Sequence, residues 1–308
     1  MKDTKKRLVL LDTHAVLHRA YHALPDFSSN AGEPTGALFG LVTMLLKIIN
    51  ELNPDYIVAT YDVPKPTFRK IAYEEYKGTR TKTDDALVDQ IIRSKDIFEA
   101  FSIPIYEKEG FEADDILGTI IAECPDSELE IIIATGDMDT LQLVDDDRVK
   151  VYTLRKGIKD TVLYDEKAVI ERFGFGPELL ADYKGLRGDA SDNIPGIRGI
   201  GEKTATSLIV TYGSLEEIYD ALEKNEEDFI KKTGITARIV GLLRDQKEEA
   251  YFSKMLAEIR RDAEVDFKVP EASWKEKIDI NKAEQIFSDL GFSHPREPPK
   301  GLCVWRRL

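Results

Sequence analysis

The sequence predicts an α/β protein with a mainly parallel central sheet flanked by helices, and three observations carry that prediction. Short runs that are wholly or mostly apolar recur at residues 8–11, 55–61 and 129–135. Runs without polar alternation suit strands buried on both faces. Helix-length segments with apolar residues three and four apart separate those runs, as alternating β and α units require. Finally, acids follow each strand: Asp12, Asp62, and the pair Asp137 and Asp139. In open parallel sheets ligands gather at the carboxyl ends of strands.

Composition sets the outer limits. The chain has 308 residues, enough for one large domain or two. With 42% hydrophobic and 32% charged residues it reads as soluble and globular. No apolar run approaches the about 18 residues that a membrane span needs. Asp12 interrupts the apolar run behind the basic N-terminus, so no signal peptide is expected there. Cys124 and Cys303 have no paired spacing, which argues against a disulfide framework or structural zinc and fits a reducing cytoplasm. The net charge of −14 taken alone opposes a nucleic-acid partner. The placement of Lys and Arg matters more than their sum, and metal-binding carboxylates inflate the negative count.

In chain order, the first strand ends at Asp12 and a helical stretch follows with His14, His18, Arg19 and His22. The histidines share one helix face. A zinc stripe would recruit further ligands nearby, so packing or phosphate contact is the simpler role. Residues 36–51 have helical apolar spacing. From 63 to 83 apolar content drops and basic residues alternate with aromatics: Arg69, Lys70, Tyr73, Tyr76, Lys77, Arg80, Lys82. That composition follows a phosphate backbone and stacks on bases, although a solvated loop can share it. A helix is expected over 85–101 and a short strand over 103–106.

Next comes Gly110-Phe111-Glu112-Ala113-Asp114-Asp115, with three carboxylates in four residues at the head of an apolar helix. Glu112 and Asp115 are three apart and would share a helix face. A helix start tolerates acid, yet three such groups repel unless a cation sits among them. After a strand over 149–154 the chain becomes mostly helical. Acids three apart recur in Gly188-Asp189-Ala190-Ser191-Asp192.

Gly196-Ile197-Arg198-Gly199-Ile200-Gly201-Glu202-Lys203-Thr204 nearly spells a nucleotide P-loop. Glu202 separates the last glycine from Lys203 and no strand precedes, so ATP binding is rejected. A tight glycine hairpin between two helices remains, whose backbone N–H groups can hold a phosphate without reading a base; a purely structural turn would look the same. Residues 214–265 read as charged helices, 280–290 as one more helix, and 294–301 as a proline-rich linker or end.

Taken in order, the words Glu112-Ala113-Asp114-Asp115, Thr135-Gly136-Asp137-Met138-Asp139, Gly188-Asp189-Ala190-Ser191-Asp192-Asn193-Ile194-Pro195-Gly196 and Gly199-Ile200-Gly201-Glu202-Lys203-Thr204-Ala205 carry a resemblance. Gly32-Glu33-Pro34-Thr35-Gly36 and Tyr76-Lys77 with Arg80 belong to it too. The chain resembles the bacterial 5′-nuclease (flap endonuclease) family, most closely the N-terminal 5′–3′ exonuclease domain of DNA polymerase I, over roughly residues 7–290.

The resemblance implies a PIN-like nuclease core over 1–186 with a helical arch at about 64–83. A helix-hairpin-helix duplex-binding region would span 187–268, and a C-terminal helix and tail 269–308. It implies two Mg²⁺ or Mn²⁺ ions. Asp12, Asp62, Glu112, Asp114, Asp115 and Asp137 would surround the first, with Asp139, Asp189 and Asp192 completing the second. Lys77 and Arg80 would steer the scissile phosphate and stabilise transition-state charge. Tyr76 would stack on a base, and Arg19 and Arg69 would contact phosphate. Gly196, Gly199, Gly201, Lys203 and Thr204 would grip duplex, with K⁺ as a monovalent cation.

The implied activity is structure-selective hydrolysis of DNA at 5′ flaps, nicks and duplex ends, in primer removal and repair, by a cytoplasmic monomer. RNA primers and a polymerase domain or protein are the further partners implied. Oxygen donors suit hard cations, which accounts for Asp and Glu in place of His and Cys. Two departures stand out: Met138 where many relatives carry Lys, and His18 where an aromatic is common. Two rival readings stay open, a PIN-like ribonuclease and a catalytically silent DNA-junction binding module.

Overall fold

The structure is a computed structural model that describes residues 5–292 apart from 26, 125–128, 147 and 157–159. The proline-rich stretch 294–301 and Cys303 lie outside the described residues. Six strands form one sheet: β1 (Lys6–Asp12), β2 (Tyr56–Thr60), β3 (Ile105–Tyr106), β4 (Leu129–Thr135), β5 (Val149–Lys156) and β6 (Asp160–Tyr164). Their order is β3-β2-β1-β4-β5-β6, parallel throughout except for β6 against β5.

The apolar runs are buried on both faces, as their composition requires. Leu8 and Leu10 of β1 join one core with Ile131 and Ile133 of β4, while Val9 and Leu11 join another with Ile132 and Ala134. Each such buried Leu or Ile contributes about 1.5–3 kcal/mol relative to exposure, so the centre of the sheet is fixed firmly.

Helices cover both faces. One face carries α1 (Thr13–Ala23), α2 (Gly36–Leu52) and α4 (Asp85–Ala100), while the short α3 (Phe68–Ala72) reaches Asp115 and Leu256 through Arg69. The other carries α5 (Ala113–Glu123) and α6 (Glu166–Phe173), then α7 (Leu180–Arg187), α8 (Glu202–Tyr212), α9 (Leu215–Lys224), α10 (Glu226–Thr233), α11 (Ala237–Asp245) and α12 (Lys247–Ala257). The chain then returns past the sheet to α13 (Trp274–Lys277) and α14 (Ile280–Asp289), which pack with α4 on the first face. Among the described residues no helix is long and apolar enough to cross a membrane.

Two expectations are corrected. The 64–83 segment is helical only at Phe68–Ala72; turns follow. Pro64, Pro66 and Gly78 break helix, and little apolar surface is available to stabilise one. The second adds a strand: before the mostly helical stretch, β6 pairs back antiparallel on β5 as the edge strand. Its half-exposed residues leave it without the continuous apolar signal of the inner strands.

The sheet order places a switch point between β1 and β4. Chain connections leave β1 toward one side and β4 toward the other, which opens a crevice at their carboxyl ends.

Candidate functional site

Strand register builds the site. Leu11 is opposite Ala134 and Asp12 opposite Thr60, so the carboxyl ends of β1, β2 and β4 lie side by side. Asp12 ends β1 and caps α1, accepting from Ala15 N at 3.1 Å. Thr135, at the end of β4, donates its hydroxyl to the other Asp12 oxygen at 2.7 Å. The same hydroxyl accepts from Asp137 N at 2.9 Å, and Asp137 accepts from Asp139 N at 2.9 Å. Beyond β2, Asp62 accepts from Ala113 N at 2.7 Å and so pins the start of α5 to the sheet. His14 Nδ1 lies 3.4 Å from Asp62.

These groups, Thr135 excepted, line one cavity of about 970 Å³. Six predicted acids face it: Asp12, Asp62, Glu112, Asp114, Asp137 and Asp139. Arg19, Lys77, Arg80, Met138, His14, His18 and His22 line it as well. Lys77 Nζ donates to Glu112 at 2.8 Å, and Arg80 donates to Asp192 at 2.5 Å. Asp192 also accepts from the Tyr76 hydroxyl at 3.2 Å.

Burial pushes the Asp12 carboxyl up to about 7, with the charges of Asp62 and Asp137 adding to the rise. Burial likewise raises Asp114 well above its ordinary range, helped by Asp12 and Asp137. Burial raises Asp139 to about 6, and Asp137 adds to it, against the pull of Lys184. Carboxylates held this close resist ionisation together unless positive charge is supplied. Asp189 behaves oppositely. Burial would raise it, but Lys184 Nζ at 2.7 Å and the Ser191 hydroxyl at 2.6 Å hold it down to about 2.

Three expectations from the sequence do not survive as stated. Asp115 does not face the cavity. It is 0% exposed, both its oxygens are bound by Arg69 at 2.7 and 2.8 Å, and it closes a capping box onto Glu112 N at 3.0 Å. Arg69, 2% exposed, is enclosed by that pair and by carbonyls of Leu256 and Glu258, so no phosphate reaches it. Tyr76 is 4% exposed, with its hydroxyl on Glu112 and Asp192, which leaves no ring face for a base.

Asp189 and Asp192 stand beside the cavity, tied to Lys184 and to Arg80 respectively. The hairpin residues form a separate feature, not part of the cavity lining. Gly196 has φ +59, and a Cβ there would come within 2.1 Å of Gly188 N, so only glycine fits. Gly199, Gly201 and Lys203 are exposed and Thr204 is half-buried.

The sequence marks Thr135 only as the first residue of its motif, with no role, and does not mark Lys184. Lys184 is paired with both Asp139 and Asp189. Its signal is a cation on a helix whose neighbours Tyr183, Gly185 and Leu186 are all buried. Thr135 is a hydroxyl at the junction of an apolar strand and a Gly-Asp turn.

Among the described residues, no three His, Cys, Asp or Glu side chains are already drawn into a finished metal site. Mutual repulsion and the pairing of Glu112, Asp139, Asp189 and Asp192 with Lys77, Lys184 and Arg80 account for their spread. The residues nonetheless fit a divalent cation. The donors are hard oxygens, and the buried Asp12 and half-buried Asp114 and Asp139 have raised affinity for a proton that a cation would displace.

The chain matches two adjoining family descriptions: 5′-3′ exonuclease, N-terminal resolvase-like domain, over residues 7–174, and 5′-3′ exonuclease, C-terminal SAM fold, over residues 175–279. It is 39% identical to DNA polymerase I of Bacillus caldotenax over 288 residues, which is 94% of this chain and 32% of that protein. It is 40% identical to DNA polymerase I of Caldicellulosiruptor bescii over 273 residues, 88% of this chain and 31% of that one. The chain thus spans about a third of the length of these curated relatives.

Among solved structures, T5 D15 protein co-crystallised with metal ions superimposes with a TM-score of 0.64 at 21% identity, covering 82% of this chain and 90% of that one. Human GEN1 in complex with Holliday junction DNA superimposes at 0.62 and 14% identity, covering 97% and 71%. These likenesses establish the fold: a mostly parallel resolvase-like core followed by a SAM-like helical region.

Proposed function

Because the chain belongs to the 5′-3′ exonuclease family, we propose that it is a metal-dependent, structure-selective nuclease that hydrolyses DNA phosphodiester bonds at 5′ ends and flaps. The observation that carries this reading is the strand register that gathers Asp12, Asp62, Asp114, Asp137 and Asp139 at one cavity, with Lys77 and Arg80 at its other wall.

Asp12, Asp62, Glu112, Asp114 and Asp137 would hold one Mg²⁺ or Mn²⁺ ion, and Asp139, Asp189 and Asp192 a second. Asp115 would act by orienting Glu112. Divalent ions there would activate the attacking water and neutralise the leaving oxygen.

The protein's own groups do the rest. Thr135 holds Asp12 and the Asp137 turn in fixed relation. Lys77 and Arg80 sit on acids at the cavity wall, within reach of an entering phosphate, and would stabilise its developing charge. Arg19, at the cavity wall, would hold a flanking phosphate. The hairpin, shaped by the buried Gly196 and exposed at Gly199, Gly201 and Lys203 beside the half-buried Thr204, would grip duplex through its backbone, with K⁺ as the monovalent ion there.

The wider biology follows the same reading: primer removal and repair in the cytoplasm, acting as a monomer, on RNA primers as well as DNA, beside a polymerase domain or protein. Cleavage of labelled flapped, nicked and single-stranded substrates, with Mg²⁺ or in EDTA, tests it. Preference for 5′-flap DNA, lost in EDTA, is expected. Preference for single-stranded RNA would replace this reading with a ribonuclease, and tight flap binding without cleavage would replace it with a junction-binding module.

A further inference from the structure

The Arg69 and Asp115 pair does not line the cavity, yet it is fully hydrogen-bonded. All five guanidinium N–H donors find acceptors. Nε donates to Leu256 O at 2.8 Å, one terminal nitrogen to Asp115 at 2.7 Å and Glu112 at 3.4 Å, and the other to Asp115 at 2.8 Å and Glu258 O at 2.6 Å. Asp115 also accepts from Glu112 N and, at 2.9 Å, from Arg260 N. Three parts of the chain therefore meet on one side chain: the start of α5, the arch segment that carries Lys77, and the strap that leaves α12.

The strap lies directly on α5. Arg260 O approaches within 2.6 Å of where a Cβ on Gly118 would stand, and Ala263 N donates to Thr119 at 3.0 Å. Gln142, next to the Asp137–Asp139 turn in sequence, brackets the same strap, donating to Ala257 O at 2.9 Å and accepting from Ile259 N at 3.3 Å.

The other end of α12 holds the glycine hairpin. Gln246, the N-cap of α12, accepts from Arg198 N at 2.8 Å and donates to Arg198 O at 3.3 Å. Ser253, within α12, accepts from Gly196 N at 2.9 Å. One helix, about 16 Å long from its 11 residues, thus touches the hairpin along its length and delivers its last carbonyls to Arg69.

A buried ion pair is weak evidence for stability, because well-packed apolar residues often serve as well. What this pair supplies that apolar residues would not is directional bonding to three elements at once. We propose that Arg69 is a positioning residue through which α12 couples engagement of downstream duplex at the 196–204 hairpin to the placement of Glu112 and Lys77 at the cleavage site. This rests on the nuclease reading and names how its two regions act together.

The test compares cleavage of a labelled 5′ flap on nicked duplex with cleavage of the same strand unpaired, in wild type, Arg69→Lys and Arg69→Met. Duplex Kd by fluorescence anisotropy in EDTA and melting temperature are measured alongside. Lysine keeps the buried cation opposite Asp115 but cannot reproduce the fork, so Arg69→Lys decides the matter should the Met variant melt below the assay temperature. The expected result is that the kcat advantage of the duplex-bearing substrate falls at least about tenfold, as for a small misplacement of catalytic groups, while duplex Kd stays within about twofold. Equal loss of kcat on both substrates, an unchanged advantage, or a Kd that weakens in step with kcat would overturn the coupling. If wild type cleaves neither strand, the nuclease reading fails first; if it cleaves both and the ratio holds, only the coupling fails.

Discussion

Thr135 donates its hydroxyl to Asp12 across 2.7 Å, joining the carboxyl ends of the two strands that flank the switch point. That bond lowers the Asp12 pKa against burial. Thr135→Val removes it and leaves Asp137 N without its acceptor. Loss of about 1–3 kcal/mol of stability is expected. More diagnostically, the acid limb of the kcat/KM pH profile should move to higher pH, because Asp12 gives up its proton less readily. A stability loss with an unmoved acid limb would mean that Thr135 only packs.

Metal-free stability should fall as pH rises near neutrality. Asp12 at about 7 and Asp139 at about 6 are both raised from an ordinary 3.8. A raised carboxyl contributes its stability below the unfolded value and loses it as pH climbs through the folded value. His14 and His18, lowered from 6.5 by burial, act in the opposite direction but only below about that pH. Asp189, held to about 2, changes only in strong acid. Asp139 has mostly ionised below pH 6.5, so the window from pH 6.5 to 8 reads chiefly Asp12. In EDTA the melting temperature should drop across it, and Mg²⁺ should restore it at pH 8. A rise in EDTA would contradict the reading.

Lys184 should hold the outer acids apart from solvent and from each other. Lys184→Met leaves Asp139 and Asp189 as neighbouring anions with no cation between them. Since these groups are only partly enclosed, a loss of about 1–3 kcal/mol by urea unfolding in EDTA is expected, with much of it recovered in Mg²⁺. Equal destabilisation with and without Mg²⁺ would argue that the two acids do not share a cation site.

Lys77 adopts φ +54, uncommon for a residue with a side chain, and its N–H is held by Asp192 O at 2.8 Å. Asn193, itself at φ +57, donates to Glu75 O at 2.7 Å from the same loop. Lys77 is thus presented to the cavity by a shaped turn. Lys77→Ala and Arg80→Ala should each lower kcat about 10²-fold with little change in KM, the mark of charge stabilised in the transition state. A rise in KM alone would make them binding residues.

What the sequence made legible was whatever local pattern encodes. Apolar runs ending in acids located β1, β2 and β4 and the acids beyond them, and glycine spacing located the hairpin. What stayed hidden depends on partners far along the chain. Spacing put Glu112 and Asp115 on one face, but the capping box turns Asp115 back, and Arg69, 46 residues away, takes both its oxygens. The alternation of basic and aromatic residues suggested a nucleic-acid surface. The fold instead encloses Arg69 and Tyr76 and leaves Lys77 and Arg80 at the cavity. Edge strand β6 and Lys184 lacked any periodic signal.

Asp114, raised well above its ordinary range by burial and by Asp12 and Asp137, should serve a cation and not the fold. Asp114→Asn removes one buried like charge while preserving shape. The direct measurement is 5′-flap cleavage at saturating Mg²⁺ beside the melting temperature in EDTA. A loss of at least about 10³-fold in kcat, about 4 kcal/mol of barrier, is expected, with an unchanged or higher melting temperature. Cleavage within about tenfold of wild type would contradict it.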